Sequence, residues 1–326
     1  MSQEYGIGIL LTSRNNYEFM EKFWIPKTIG VCDLDCKILN IDEDSNEVEK
    51  QRGRELCKKH NISYMDREEP GMHHNIDTAI RFFGESVKYI IWFQHDCWPL
   101  QKDFFVKFNK LVKEGHLENF GTIGFNSIAK NIFKKRHKNI LEDFRSGKKP
   151  LGVLSRSNLE QAGGKDWYYC GIRGGRIKNP VNKKHFCGPS AIAVPVWYAI
   201  AVNTFLFKKE IDINRKFYFF KSWDDISFQF LSKNIYNIVL PDLYIEHRPD
   251  LKRKVGLPRL SVSGVKKNDK YHSISGHHGS EWIKQWGWNF DKPITFEKVR
   301  RRYRGTLLRK FYKYDYTKGP LKTFKL

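Results

Sequence analysis

Apolar runs and amphipathic segments alternate along the first part of the chain. Apolar runs at residues 6–12, 36–42 and 87–93 predict buried strands. Apolar positions at helical spacing predict helices at 47–61 and 76–83, between those strands. Strands that alternate with helices in this way form a mostly parallel sheet flanked by helices, and ligands bind beyond the carboxyl ends of its strands. The pattern therefore predicts an α/β fold.

The remaining predicted elements are less regular. An amphipathic helix follows the first strand and is predicted to end before Pro26, because proline disrupts a helix interior. Residues 126–186 are basic and glycine-rich, and no regular element is predicted there. The apolar stretch 186–203 predicts core structure, and a helix predicted to begin near Asp225 leads to a strand that ends at His247.

Composition indicates a globular protein. Hydrophobic residues make up 40% of the 326 positions, which does not favour disorder over the bulk of the chain. The sequence contains no apolar run of about 18 residues, so no transmembrane segment is expected. The first apolar stretch lacks a preceding basic segment, which favours an intracellular, cytoplasmic protein. The six cysteines are scattered and form no CxxC pair, so reduced thiols are expected.

The charge is strongly positive. Lys and Arg number 58 against 36 Asp and Glu, which gives a net charge of +22. Such a field attracts polyanions, either nucleic acid or an anionic membrane surface. A charge that serves only solubility is the alternative. Basic residues interleaved with aromatic ones are concentrated in 126–186 and 292–326.

Five segments, taken in order, resemble the GT-A glycosyltransferase fold, and within it the family 2 nucleotide-sugar transferases. They are LTSRNN after the first strand, NIDEDSNE after the second, EEPGMHHNIDTAI, IIWFQHDCWPL and KSWDDISFQFLSKNIYNIVLPDLYIEHRP. The matches cover roughly residues 6–110 and 186–248. The order and spacing of the motifs make the fold specific, whereas the sugar and the acceptor stay open.

The resemblance implies a domain organisation. It implies a GT-A (Rossmann-like) domain at 1–250, followed by a basic, aromatic C-terminal extension. The domain is predicted to comprise a donor half at about 1–125, a basic insertion at about 126–186 and an acceptor half at about 187–250, with the extension at 251–326.

The resemblance also implies a UDP-linked sugar as the donor substrate. Gly71 and Asn75 match a glycine and an asparagine of the family motif, and Arg14 is placed to pair with a phosphate. The aspartates after the second strand have solvated turn formation as their alternative role. The residues implied to lie around the nucleotide-sugar are Thr12, Arg14, Asp42, Asp44, Gly71, Asn75 and His95.

The metal motif departs from the family pattern. Aligned on Pro99, the first two acids of the family motif fall on Gln94 and His95, which leaves Asp96 as the only carboxylate. A divalent cation on a diphosphate needs only one or two protein ligands, since phosphate and water fill the other positions. The resemblance implies His247 as the second ligand. We therefore predict that Asp96 and His247 bind Mn2+ or Mg2+.

An acidic pair opens the predicted helix of the acceptor half. The resemblance implies that Asp225 is the general base for the acceptor hydroxyl, with Asp224 as its neighbour. Favourable electrostatics at a helix N-terminus are the alternative explanation for both acids. Neighbouring histidines point in different directions, so the pairs His73–His74 and His277–His278 are kept outside the predicted site.

The acceptor is predicted from the placement of charge. Basic, aromatic stretches suit a phosphate backbone with base stacking, which favours hydroxymethylated bases in DNA as the acceptor, with inversion at the sugar by analogy. A membrane-surface enzyme that acts on a lipid-linked glycan is one alternative. A non-catalytic nucleic-acid-binding protein on a GT-A scaffold is another. The predicted DNA-contacting residues are Arg173, Arg176, Arg300, Arg301 and Arg302.

Overall fold

A computed structural model describes residues 6–34, 36–130, 167–169, 190–192, 198–214, 217, 222–233 and 235–256. These residues contain a mixed β-sheet of ten strands flanked by helices. The strands are β1 (Ile7–Ser13), β2 (Ile38–Asp42), β3 (Ser63–Asp66), β4 (Tyr89–Gln94), β5 (Cys97–Pro99), β6 (Phe120–Lys130), β7 (Trp167–Tyr169), β8 (Ser190–Ile192), β9 (Ala199–Asn203) and β10 (Tyr236–His247).

The sheet order is β3-β2-β1-β4-β9-β6-β10-β5, with β7 paired to β6 and β8 paired to β10. The first four strands in this order are parallel. Strand β9 runs antiparallel to both β4 and β6, whereas β10 runs parallel to β6. The predicted α/β fold with a mostly parallel sheet is confirmed. Because β1, β2 and β4 are parallel, the loops that follow them meet at one edge of the sheet.

Helical segments flank this sheet. They are α1 (Tyr17–Phe19), a π-helical turn (Met20–Trp24), α2 (Ile25–Thr28), α3 (Glu47–Lys59), α4 (Met72–Phe83), α5 (Phe104–Lys113), α6 (Thr204–Glu210), α7 (Ser222–Ser232) and a 3-10 helix (Pro249–Val255). Among the described helices, none combines the length and the apolarity that crossing a membrane would require.

Two helix boundaries differ from the predictions. The first helix does not end before Pro26, because helical backbone continues from α1 through the π-helical turn into α2, which contains Pro26. Helix α7 begins at Ser222 rather than near Asp225, so the acidic pair lies inside its first turn.

The core lies on both faces of the sheet. Neighbouring residues of β1 separate into two apolar clusters, one that contains Ile9 with Trp24 and one that contains Leu10 with Trp92. All five residues of β2 are buried, because both faces of the sheet are covered. Several buried polar side chains, among them Ser13, Asp42 and His247, lie at strand ends.

Most of the two predicted basic segments falls outside the described residues. Strand β6 continues to Lys130 and β7 lies at 167–169, both within the predicted insertion. The five arginines predicted to contact DNA, namely Arg173, Arg176, Arg300, Arg301 and Arg302, also lie outside the described residues. The predicted extension is described only as far as 256.

Candidate functional site

The loop that follows β2 is organised around Asp42. Its Oδ2 accepts a 2.6 Å hydrogen bond from the Tyr17 hydroxyl, and its Oδ1 accepts a 2.7 Å bond from the Ser45 backbone N–H. Burial and the nearby Asp42 charge raise the pKa of Tyr17 far above its ordinary value, which keeps that hydroxyl protonated and donating. Asp42 is fully buried. Asp42 thus has the contacts of a turn-forming residue, and its contact with the nucleotide stays a prediction.

The loops after β1 and β2 form one unit. The Asn15 backbone N–H donates to Ser45 Oγ at 2.9 Å, and the Asn46 backbone N–H donates to Asn15 Oδ1 at 2.9 Å. Asn15 and Asp44 have φ values of 49° and 72°, which asparagine and aspartate tolerate better than other side-chain-bearing residues. Asp44 is exposed at the tip of this unit, where a ligand can reach it.

Glu43 is a central residue of this edge that the sequence did not single out. Its carboxylate accepts a hydrogen bond from Asn75 Nδ2 and pairs with Arg67 at 3.4 Å, while Arg67 also pairs with Asp44 at 2.6 Å. Burial raises the pKa of Glu43, and its contacts with Asn75, Arg67 and Arg14 oppose that rise. The structure therefore brings Arg14, Asp44 and Asn75, all predicted site residues, together around Glu43.

Thr12, near the end of β1, and Gly71, before α4, are two further predicted site residues. Trp92 Nε1 donates to Thr12 Oγ1 at 3.0 Å, and the Trp92 ring packs against Trp223 with centroids 5.4 Å apart. Gly71 precedes α4 with a φ of 113°, a conformation that strongly favours glycine. Gly71 consequently sets the direction in which α4 leaves the loop.

Asp96 and His247 lie together, as predicted for metal ligands. Strand β5 pairs antiparallel with β10 so that Cys97 lies opposite His247. This register brings His247 Nε2 to 3.4 Å from Asp96 Oδ2, and the His247 ring stacks on Tyr198 with centroids 3.9 Å apart. The ligand atoms of Asp96, Cys97 and His247 all lie within 4.8 Å of one another.

This ligand set fits one divalent cation. Two ligands at about 2.1 Å from an octahedral ion and at right angles lie about 3 Å apart, close to the observed separation of Asp96 and His247. A carboxylate oxygen with an imidazole nitrogen suits Mn2+ better than Mg2+. Burial and the neighbouring Asp96 raise the pKa of the Cys97 thiol well above its ordinary value, so the thiol is protonated and a poor ligand.

Lys252 also contacts Asp96. Its Nζ lies 2.9 Å from Asp96 Oδ2, and both side chains are buried. Burial favours the neutral carboxyl, but Lys252 and His247 outweigh it and hold the pKa of Asp96 well below its ordinary value. Lys252 lies on the 3-10 helix, two residues beyond the predicted boundary of the domain. Its neighbour Leu251 packs against Phe19 and Trp98, so the start of the predicted extension belongs to the packed domain.

His95 is buried beside this pair. Its ring meets Phe19 edge-on with centroids 5.6 Å apart. Burial and the positive charge of Lys252 lower the pKa of His95 to about 3, so its imidazole is neutral. The predicted contact of His95 with the nucleotide-sugar would therefore involve a neutral ring.

Polar contacts fix the 3-10 helix in place. The Arg248 backbone N–H donates to the Asp96 carbonyl oxygen at 2.8 Å. The Arg248 guanidinium bonds Asp250 at 2.8 and 2.9 Å and Glu246 at 3.0 Å, and Glu246 also accepts from Trp98 Nε1 at 2.9 Å. These contacts hold the start of the helix that carries Lys252 against Asp96.

The acidic pair of α7 is buried, and Asp225 contacts a histidine that sequence reasoning had left outside the site. Gln229 Nε2 donates to Asp225 Oδ2 at 2.7 Å, and His73 Nε2 lies 3.1 Å from the same oxygen. Successive residues of a helix point about 100° apart, so His73 faces α7 while His74 faces Glu69 at 3.4 Å. His73, which was kept outside the predicted site, therefore contacts a predicted site residue.

The first turn of α4 links the two parts of the site. Asn75 reaches Glu43 in the loop after β2, and His73 reaches Asp225 at the start of α7. Asp224 is buried next to Asp225 in the same turn of α7. The carboxyl edge of the sheet thus carries three polar clusters, centred on Glu43, Asp96 and Asp225.

Comparisons with known proteins give structural similarity only. No protein-family model and no curated protein matches the sequence. The chain is similar to a structure of GalNAc-T7 with UDP, GalNAc and Mn2+, with a TM-score of 0.48 and 10% identity over 88% of this chain and 57% of that one. It thus spans less than two thirds of the GalNAc-T7 chain.

Two further solved structures are similar to the chain. One is the mannosyltransferase PcManGT from Pyrobaculum calidifontis with GDP-Man and Mn2+, with a TM-score of 0.44 and 10% identity over 85% of this chain and 71% of that one. The other is S. aureus TarS with UDP-GlcNAc, with a TM-score of 0.46 and 13% identity over 94% and 75% of the two chains. Similarities at this level do not define an activity, so the function is argued from the residues of the site.

Proposed function

We propose that the chain is a metal-dependent glycosyltransferase on a GT-A scaffold, which transfers a sugar from a UDP-sugar to a hydroxyl acceptor. The observation that carries this proposal is the pairing of Asp96 with His247 at the carboxyl edge of the sheet, at 3.4 Å. The loops that follow β1 and β2 reach the same edge and carry Arg14 and Asp44.

The metal site consists of Asp96 and His247. A divalent cation bound there supplies positive charge that stabilises the diphosphate leaving group. Asp44 is exposed after β2 and Arg14 is half-buried directly after β1, and we assign these two residues to the nucleotide and its phosphates. Asp42, in contrast, is buried and accepts hydrogen bonds from Tyr17 and Ser45.

Asp225 is the proposed general base. The acceptor oxygen forms a bond to the anomeric carbon while the bond from that carbon to the diphosphate breaks, and the hydroxyl proton passes to the Asp225 carboxylate. Direct displacement of this kind inverts the anomeric centre. Two hydrogen bonds at Oδ2, from His73 and Gln229, orient the carboxylate.

Hydroxymethylated bases in DNA are the proposed acceptors. The net charge of +22 supports this choice, because a phosphate backbone is the polyanion that would carry such bases to the site. A base in a duplex would have to be flipped out to place its hydroxymethyl group near Asp225. A lipid-linked glycan at an anionic membrane surface is the competing acceptor, supported by the same charge.

The test is transfer of labelled sugar from UDP-sugars in the presence of Mn2+. The acceptors are hydroxymethylated DNA, unmodified DNA of the same sequence and a bacterial lipid extract. Labelling of hydroxymethylated DNA alone is the expected result. Labelling of the lipid fraction alone would overturn the DNA acceptor while retaining the glycosyltransferase, and failure to release UDP in any reaction would overturn the enzyme itself.

A further inference from the structure

The Asp96 cluster already contains a cation. Lys252 Nζ lies 2.9 Å from Asp96 Oδ2, the same oxygen that His247 Nε2 approaches at 3.4 Å. The Lys252 side chain retains 8% of its exposed area and that of His247 retains 11%, whereas Asp96 lies beneath them at 1%. Lys252 and His247 thus keep a small exposed area beside Asp96, which is almost fully buried.

The charges of the cluster are balanced before any ligand binds. Asp96 is ionised and pairs with Lys252, while Glu246 pairs with Arg248 at 3.0 Å. Gln94, at the end of β4, carries no charge. One carboxylate cannot fully neutralise both an ammonium group and a divalent cation. Binding of a metal ion at Asp96 would leave Lys252 in need of a further anion, because an unpaired buried charge is strongly unfavourable.

We propose that Lys252 is a phosphate ligand of the sugar-donor site, which pairs with Asp96 in the free protein and with the diphosphate of a nucleotide in the complex. The inference rests on the proposed function, because it assumes a nucleoside diphosphate at this edge of the sheet. Three ammonium N–H groups allow Lys252 to bond a phosphate oxygen while staying near Asp96. A lysine binds phosphate as a point charge, so it needs no bidentate geometry.

The competing explanation is a structural ion pair, in which Lys252 only neutralises Asp96. The two explanations predict different effects of Asp96→Asn on the binding of a nucleoside diphosphate when no metal is present. If Lys252 binds phosphate, removal of the competing carboxylate frees its ammonium and strengthens the binding of a nucleoside diphosphate. If the pair is only structural, the same change has no effect on that binding or weakens it.

The experiment measures UDP, GDP and uridine binding to the full-length chain by calorimetry, in excess chelator and again in Mn2+. Variants are Lys252→Met, Asp96→Asn and the double variant Asp96→Asn/Lys252→Met. Lys102→Met is the matched control, because Lys102 is 72% exposed and pairs with Asp33 at 3.5 Å, outside the cluster. Circular dichroism and thermal melting report whether each variant folds.

In chelator we expect the wild type to bind a nucleoside diphosphate more tightly than uridine. Lys252→Met should weaken diphosphate binding about 10- to 100-fold, the range of a charge-assisted hydrogen bond, and leave uridine binding unchanged. Asp96→Asn should strengthen metal-free diphosphate binding about threefold or more and abolish the enhancement by Mn2+. Lys102→Met should match the wild type.

The double variant keeps the inference testable if Lys252→Met fails to fold, because it leaves no unpaired charge. It should lose the gain that Asp96→Asn alone produces. Equal metal-free diphosphate binding by Asp96→Asn and the double variant would overturn the role of Lys252, even if Mn2+-dependent binding persists and supports the proposed function. Absence of UDP and GDP binding to the wild type in both conditions would overturn both proposals.

Discussion

His73 Nε2 lies 3.1 Å from Asp225 Oδ2, across the interface between α4 and α7, and both side chains are fully buried. The contact joins the first turn of α4 to the acidic pair of α7. It fixes the direction of the Asp225 carboxylate together with Gln229. A general base needs such orientation, because proton transfer depends on its distance from the acceptor hydroxyl.

Replacement of His73 by alanine should lower the turnover number about tenfold and leave nucleotide binding unchanged, because His73 orients the base and does not touch the nucleotide. His73→Asn, which retains a side-chain donor, should recover part of the loss. The measurement is steady-state kinetics with kcat and KM determined separately. His74→Ala is the matched control, since His74 faces Glu69. Equal effects of His73→Ala and His74→Ala would contradict the positioning role.

Within the acidic pair, Asp225→Asn should reduce turnover by about two to four orders of magnitude, since a carboxamide cannot accept the proton. UDP affinity should change little in the same variant. Asp224→Asn should have a much smaller effect on turnover. Single-turnover transfer and UDP calorimetry on the two variants check this assignment, and a severe loss confined to Asp224→Asn would exchange the roles of the two residues.

Removal of either metal ligand should weaken Mn2+ binding about tenfold or more, because replacement even of groups that only support metal ligands costs about 10- to 100-fold in affinity. The variants are Asp96→Asn and His247→Ala. The readout is free Mn2+ by electron paramagnetic resonance, which needs no turnover. Cys97→Ser is the control and should bind Mn2+ like the wild type, since the Cys97 thiol stays protonated. Full transfer activity in excess chelator would contradict the metal requirement.

Acid should destabilise the metal-free protein through His95. Its pKa is about 3 in the folded protein against 6.5 for the free side chain, so the unfolded state takes up the proton first as the pH falls. The free energy of unfolding should therefore decrease between about pH 6.5 and pH 3 and then lose this dependence.

Chemical denaturation from pH 8 to pH 4 on the wild type and His95→Gln measures the effect. The variant should show a shallower decrease with acid, because glutamine does not titrate. His116→Gln is the control, since its imidazole is partly exposed and pairs with Glu114 at 3.2 Å. A decrease of equal slope in the wild type and His95→Gln would exclude His95 as its cause.

The sequence predicted the strands and helices of the first half because their periodicity is local. Strands β1, β2 and β4 and helices α3 and α4 were all identified within a few residues of their ends. The antiparallel direction of β9 was not predicted, since an apolar run of five residues carries no information on direction.

The sequence motifs predicted the positions of site residues only where a residue lies at the end of a strand. Asp96 and His247 lie close together, because Asp96 follows β4 and His247 ends β10 at the same edge of the sheet. The hydrogen bond from Tyr17 to the buried Asp42 was not predicted, because the two residues are distant in the chain. Lys252 and His73 were missed because their partners are distant in the chain, and composition or spacing gives no sign of such contacts.

Strand β10 also has a consequence for folding. The hydrogen bond from Trp98 to Glu246 joins residues 148 positions apart, and Asp96 meets His247 and Lys252 through the same pairing of β5 with β10. Contacts of such long sequence separation form slowly, since a large loop must close first. The loops after β1 and β2 contact each other across about 30 residues, whereas the proposed cation site forms only when β5 pairs with β10. Metal binding at the proposed site therefore requires β10, and a nascent chain would gain it only after β10 has been synthesised.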